Sequence, residues 1–291
     1  MEINRRTMLS GTAAGAASLA MMRGRVMGAE GDPMRIVDTN ISLFQWPFRR
    51  LKSDDPAGMV QQLQRLVVDQ AWAGSFEALL HRDIGGVNRR LTEACRKFGN
   101  GRLVPIGAVN PMLPDWEEDL RRCHEEFAMP GIRIHPNYHG YKLADPKFGR
   151  LLELATRCGL LVQLAAAMED SRTHHPLVQV PDVDLSPLPN LVRETEGARV
   201  QILNLRPRVA ALKPLVEVEG ITFDSARVDD TAGVARLLRG LPVDRVMFGS
   251  HAPFLIQEAA LIRAIEAGLT ADELLHLFSR NAAGLLGKGS R

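Results

Sequence analysis

The sequence predicts an α/β fold: a single (β/α)8 barrel preceded by an N-terminal export signal. Three observations carry this. Short β-type runs alternate with amphipathic helical runs along residues 34–287. Eight such strands fit within about 250 residues, the usual size of a closed barrel. Several runs are apolar throughout, as in Leu103–Val109 (LVPIGAV) and Arg245–Gly249 (RVMFG), the pattern of parallel strands covered on both faces. An open doubly wound sheet shares the alternation, but no glycine-rich nucleotide fingerprint follows the first strand.

The first segment stands apart from the barrel. Arg5-Arg6, Leu9, a weakly apolar Ala/Gly-rich run from Ser10 to Met22, and then Arg23 and Arg25 form the pattern of a twin-arginine export signal. The run is too short and too weakly apolar to span a bilayer. Residues 1–29 are therefore expected to be a cleaved signal, cut near Gly28 or Ala29. The mature protein is expected in the periplasm or another extracytoplasmic space, with no stable membrane anchor.

The strands read next are Arg35–Asp38, Asp69–Ser75, Leu103–Val109, Ile132–His135, Leu160–Leu164, Val200–Leu203, Ile221–Asp224 and Arg245–Gly249. Between them, a helix over Asp83–Phe98 places Ile84, Val87, Leu91 and Ala94 on one face. Asp115–Phe127 opens with an acidic cap after Pro114, and Asp145–Cys158 has Pro146 at its first helical position. Arg208–Val216, Asp229–Leu238 and Ile256–Ala267 follow. Ala271–Ser279 and Asn281–Leu286 close the chain, with Asn281 read as a cap. The loop over residues 165–185, AAAMEDSRTHHPLVQVPDVDL, is unusually long for a compact domain, and such loops are commonly functional. In a barrel it would sit over the mouth.

Charge and cysteine usage exclude several classes. The chain has 36 basic and 34 acidic residues, and residues 1–29 hold four Arg and one Glu, so the remainder carries 32 against 33, a net of −1. No basic patch argues for nucleic acid and no basic amphipathic helix for a membrane surface. Cys95, Cys123 and Cys158 are odd in number, match no zinc spacing, and read as free buried thiols. A small-molecule substrate and a homodimer remain the expected partners.

In a barrel, functional groups gather at the C-terminal ends of the strands. Those ends carry Asp38 and Asn40, Ser75 and Glu77, Asn110, His135, Asn204, Asp224 and His251. His81 follows the second strand; Asn137, His139 and Tyr141 follow the fourth; Glu169, Arg172, His174 and His175 lie on the long loop. A lone histidine is more often structural, but several at one rim point to a site. His124 and His276 fall on helices away from it.

With these stretches in view, the chain resembles the amidohydrolase-related proteins, the second large group of the amidohydrolase superfamily. RIVDTN, GIRIHPNYHGY, ITFDSA, RVMFGSHAP and the closing LFSRNAAGLLG carry the resemblance over residues 34–287. It implies a barrel enzyme that typically holds one divalent metal and hydrolyses amide or ester-like bonds, opens lactones or decarboxylates small acids. It also implies an Asp-x-His-x-His ligand pattern on the first strand, where this chain has Asp38-Thr39-Asn40-Ile41-Ser42. The family histidines of strands five and six give way to the VQLAAA run and to Asn204 or a neighbour in LNLRP, and the aspartate after FGS is His251.

From this we expect the ordinary metal site to be absent and no cofactor to be required. A divalent metal, Zn or Mn, in a rebuilt shell of Asp38, His135, Asp224 and His251 is the alternative. The expected enzyme is an exported hydrolase of small, anionic or lactone, ester or amide substrates. Its base would be His251, with a reference pKa of ~6.5, oriented by Asp224 and assisted by His135 as electrophilic donor. The substrate would be held by Asp38, Asn40, His81, Asn137, His139, Tyr141, Glu169, Arg172, His174 and Asn204. Two other readings stand beside it: a non-catalytic barrel that binds a small ligand or partner, and a metal-dependent hydrolase or decarboxylase with an unusual ligand shell.

Overall fold

A computed structural model describes residues 34–206, 212–229 and 232–287; the expected export signal lies outside these. The strands are β1 (Val37–Leu43), β2 (Gln70–Ser75), β3 (Leu103–Pro105), β4 (Gly107–Ala108), β5 (Gly131–Ile134), β6 (Leu161–Ala165), β7 (Val200–Leu203), β8 (Ile221–Asp224) and β9 (Val246–Met247). All neighbouring pairs are parallel, in the orders β1-β2-β3 and β4 through β9. β3 and β4 are two halves of one stave, parted at Ile106, whose N–H donates to Ala73 at 2.9 Å. The ring closes where β1 meets the segment after β9. There Thr39 N–H donates to Phe248 O (2.9 Å), His251 N–H to Asn40 O (2.9 Å) and Ser42 N–H to Ala252 O (2.8 Å). Eight staves in parallel make the expected barrel.

The helices form where caps and periodicity agree. Asp55 accepts from Gly58 N–H ahead of Pro56–Arg65, which buries Met59, Val60 and Leu63. Asp83 does the same for Ile84–Gly99, which ends on a left-handed Asn100. Asp145 caps Pro146–Arg157, and Thr270 with Glu273 forms a capping box at Ala271–Leu275. The helix Pro56–Arg65 and the short Leu188–Glu194 were not foreseen. Two other boundaries moved: β1 runs on through Leu43, and Asn281, read as a cap, instead braces β9 by donating Nδ2 to Val243 O (2.7 Å) and Val246 O (2.8 Å). Cys95, Cys123 and Cys158 are free, and burial pushes the first two thiols up to about 12. No described helix is long and apolar enough to cross a membrane.

The barrel axis is filled with polar side chains where branched aliphatics are usual. Gln163 Nε2 donates to Thr39 O and Gln201 Oε1, both at 2.8 Å; Gln201 Nε2 donates to Thr39 Oγ1 (2.9 Å). Arg133 lies across the axis, donating Nε to Gln163 Oε1 and Nη1 to Ile41 O, each at 2.9 Å, with Ser42 Oγ at 3.3 Å. A buried charge persists only when its donors are satisfied, and this network satisfies them. Gly74 leaves the guanidinium its room, since a Cβ there would stand 2.6 Å from Arg133 Nη1 and 2.9 Å from Cζ. Because these bonds pin the guanidinium, Gly74→Ala is expected to lower stability by about 1–3 kcal/mol, as overpacking does, in urea melts. Wild-type stability would mean that Arg133 has slack.

Candidate active site at the strand ends

The seam that closes the barrel also builds the site. Asp38, on β1, accepts Asn40 N–H (3.1 Å) and Ser250 N–H (2.9 Å) on Oδ1, and Gln257 Nε2 (2.8 Å) on Oδ2. Burial raises its pKa while these bonds oppose the rise. Its oxygens are occupied within the fold, so Asp38 stitches the seam.

Asn40 points its amide across the rim to two staves. Nδ2 donates to Asp224 Oδ2 (2.6 Å) and Asn204 Oδ1 (2.7 Å), and Asn40 Oδ1 is buried with no partner. Asn204, at the end of β7, has φ 60°, an uncommon conformation for a non-glycine residue. That turn aims its N–H at Asp224 Oδ1 (3.0 Å), while Nδ2 donates to Ala167 O (2.9 Å). Burial lifts the Asp224 carboxyl to about 6, against the hydrogen bonds from Asn40 and Asn204. Gly249 permits this close approach: a Cβ would sit 3.0 Å from Asp224 Oδ2 and 3.1 Å from Asn40 Cβ.

His251 also sits in the left-handed region, at φ 56°. Its Nε2 donates to Met168 O at 2.7 Å, which leaves the lone pair on Nδ1, and its ring stacks on Phe254 with centroids 5.1 Å apart. Burial pulls its pKa down to about 3; the Met168 carbonyl opposes this, and the charges of Arg227 and Arg133 add to it. His135, at the end of β5, is held well below 6.5 by burial and by His139, Arg133 and His251 around it; its Nδ1 has no partner. His139 lies edge-on to it at 5.9 Å and donates Nε2 to Ala78 O (3.0 Å).

Above these groups the segment after β1 folds over as an aromatic cap. Trp46 is buried among Phe48, Phe76, Tyr138 and Phe254, with ring centroids 4.7–6.1 Å away. Arg49 from the same segment pairs with the buried carboxylate of Glu169 on the long loop. Arg227, beyond β8, donates Nη1 to Glu169 O at 3.2 Å.

The structure thus gathers Asn40, His135, Asn204, Asp224 and His251 in one buried rim, with Glu169 and His139 beside it. Other expected site residues go elsewhere. His81 is exposed. Arg172 turns to solvent and pairs with its neighbour Asp170. Asn137 ties the long loop through Pro181 O (3.1 Å). His174 accepts Gln179 Nε2 on its main-chain oxygen. Tyr141 is buried in the main apolar cluster, its hydroxyl unpartnered. Asp224 does not orient His251, because Asn40 and Asn204 take its oxygens and Met168 O takes the imidazole N–H. The ordinary histidine pKa invoked for His251 also fails, since burial removes it. Arg133, Arg227, Arg49, Trp46 and Phe254 were missed; only the continuity of aromatic and basic residues in FQWPFRR offered a signal.

Comparison with known proteins places this geometry. The amidohydrolase family model matches residues 66–288. No curated protein matches. A 5-carboxyvanillate decarboxylase from Novosphingobium aromaticivorans, solved with bound manganese, superposes with a TM-score of 0.69 at 13% identity, covering 90% of this chain and 99% of that one. The 2,6-dihydroxybenzoate decarboxylase from Rhizobium gives 0.65 at 12%, covering 86% and 99%. A TIM-barrel protein from Bordetella bronchiseptica gives 0.69 at 11%, covering 88% and 100%. The manganese in the first, and in a second structure of 5-carboxyvanillate decarboxylase, overturns the expectation of a cofactor-free site. The matched model spans most of the barrel described above, and on that ground the chain belongs to the amidohydrolase family.

Proposed function

We propose that this protein is an amidohydrolase-type enzyme that hydrolyses or decarboxylates a small organic acid at the barrel mouth, with a divalent metal in a shell unlike the family's usual one. One observation carries the reading: two buried donor atoms, Asn40 Oδ1 and His135 Nδ1, have no partner in the protein, and Asn40's own amide nitrogen holds the Asp224 carboxylate. Amide and carboxylate oxygen with imidazole nitrogen is a donor set that Mn²⁺ and Zn²⁺ accept. Among the described residues no three His, Cys, Asp or Glu side chains stand close enough to hold an ion by themselves, so an amide has to serve. Asn40 and His135 would hold the metal, with Asp224 joining through the lone pairs that Asn40 and Asn204 leave on its oxygens, and the ion would polarise a carboxylate or carbonyl.

The remaining groups act around it. His251 presents a neutral Nδ1 fixed by Met168 O and Phe254, able to take a proton from a nucleophile or pass one to a product. The aromatic cap excludes water, which strengthens every polar interaction beneath it. Export by the twin-arginine route belongs to the same proposal, supported by Arg5-Arg6 and the run that follows.

Protein expressed with added manganese or zinc and purified without chelator is expected to carry about one ion per chain by elemental analysis, and Asp224→Ala to lose it. Metal-free protein under both supplements would overturn the reading. A screen of aromatic and aliphatic carboxylic acids is expected to yield one that turns over, with His251→Ala lowering kcat by ~10²-fold or more, the usual worth of a placed proton-transfer group.

Chelated protein gives an independent check through pH. His135, His139 and His251 are held below 6.5 in the fold, so the unfolded chain binds their protons first and stability falls as pH drops below about 6.5. Asp224 and Asp38, both raised, oppose this, since they bind protons in the fold before the unfolded chain does. The net expectation is a lower Tm at pH 5 than at pH 7, with a steeper fall in Asp224→Asn. Equal Tm at the two pH values would contradict the buried neutral imidazoles.

A further inference from the structure

Arg227 is buried, 8% exposed, and among the described residues its hydrogen bond goes to a main-chain carbonyl, Glu169 O at 3.2 Å. Among the described residues no carboxylate stands within ion-pair distance of it, although the charges of Asp229, Asp182 and Asp170 reach it from further off. A guanidinium carries five N–H donors in a planar fork suited to carboxylate. A buried guanidinium with its nearest carboxylates beyond ion-pair distance is receptive to an anion that can contact it directly. Its position shows what it would meet. Met168 O receives the His251 imidazole and the next carbonyl, Glu169 O, receives Arg227. The two side chains therefore hang from consecutive peptide units, and the charge of Arg227 is felt by the imidazole.

A second guanidinium reaches the same loop residue. Arg49 lies 5.4 Å over the Phe254 ring, and that ring stacks on His251. Arg49 is about half exposed and holds the Glu169 carboxylate, which is itself almost fully buried. One residue of the long loop is thus gripped by its side chain from Arg49 and by its main chain from Arg227. We propose that Arg49 and Arg227 form the seat for the substrate's carboxylate, and that the Glu169 side chain occupies the Arg49 half of it in the free protein. An entering anion accepts from the Arg227 guanidinium and displaces Glu169 from Arg49. Its body then lies along Phe254 and Trp46 with its other end toward His251 and Asp224. This rests on the reading that substrate is handled at this mouth, and it adds which residues select for charge.

The test uses the full chain and two probes of one shape, benzoate and the uncharged benzamide, in isothermal titration. Benzoate is expected to bind at least ~10-fold more tightly than benzamide, the scale of a charge-assisted hydrogen bond. Arg227→Met is expected to remove that preference and leave benzamide unchanged, and Arg227→Lys to restore part of it. Glu169→Gln, which frees Arg49, is expected to tighten benzoate several-fold. Arg206→Met, an exposed guanidinium on the same rim bound to Asp170, serves as the charge-loss control and is expected to change nothing. Melting curves establish that each variant is folded; if Arg227→Met is not, Arg227→Lys and Glu169→Gln decide. Equal binding of the two probes, no binding of either, a folded Arg227 variant that keeps full preference, or Glu169→Gln that fails to tighten benzoate overturns the seat. Metal content is measured separately. A protein that holds no ion yet reads charge through Arg227 keeps the seat and loses the metal reading.

Discussion

A single buried guanidinium organises this barrel. Arg133 lies across the axis where most barrels carry branched aliphatics, and its charge has to be answered from within. Gln163 and the Ile41 carbonyl accept from it, Ser42 stands near it, and Gly74 cedes space. The chain of amides then continues from Gln163 to Gln201 and Thr39. Above it, burial pulls the guanidinium's pKa down to about 10, and the charges of Asp224 and Asp38 keep it from falling further. The floor of the site is therefore a fixed cationic layer, and the groups at the rim are arranged over it.

That arrangement explains why the histidines are neutral. His135 and His251 are buried close to Arg133, and His251 also feels Arg227. Desolvation and neighbouring positive charge push in the same direction, so each imidazole offers a lone pair where a charge would otherwise be. Asp224 is the group moved toward neutrality from the other side. Asp38, at the seam, is moved the same way, so the rim combines imidazole lone pairs with two carboxyls raised by burial.

Most of the barrel was legible because buried parallel strands write themselves as continuous apolar runs, as Ile221–Asp224 and Val200–Leu203 do. β1 was cut short because Asn40 and Ser42 look like loop residues until their partners are known. The helix Pro56–Arg65 was missed because only three apolar side chains and a glutamine, Gln62, form its inner face. The rim residues were legible as strand ends, yet their pairing was not. Whether Asp224 meets His251 on the neighbouring stave or Asn40 from one stave further round depends on how the side chains reach over the rim, a matter of register over nearly the whole chain. Arg227 and Arg49 become meaningful only through Glu169, and no spacing in the sequence links those three.

The seam joins residues that are far apart in order of synthesis. Asp38 is made early, while Ser250 and Gln257, which satisfy it, come more than two hundred positions later. Asn40 likewise waits for Asn204 and Asp224 before its amide has anywhere to point. Without the last stave Asp38 lacks the groups that hold it, so the site as described needs the first and last staves together.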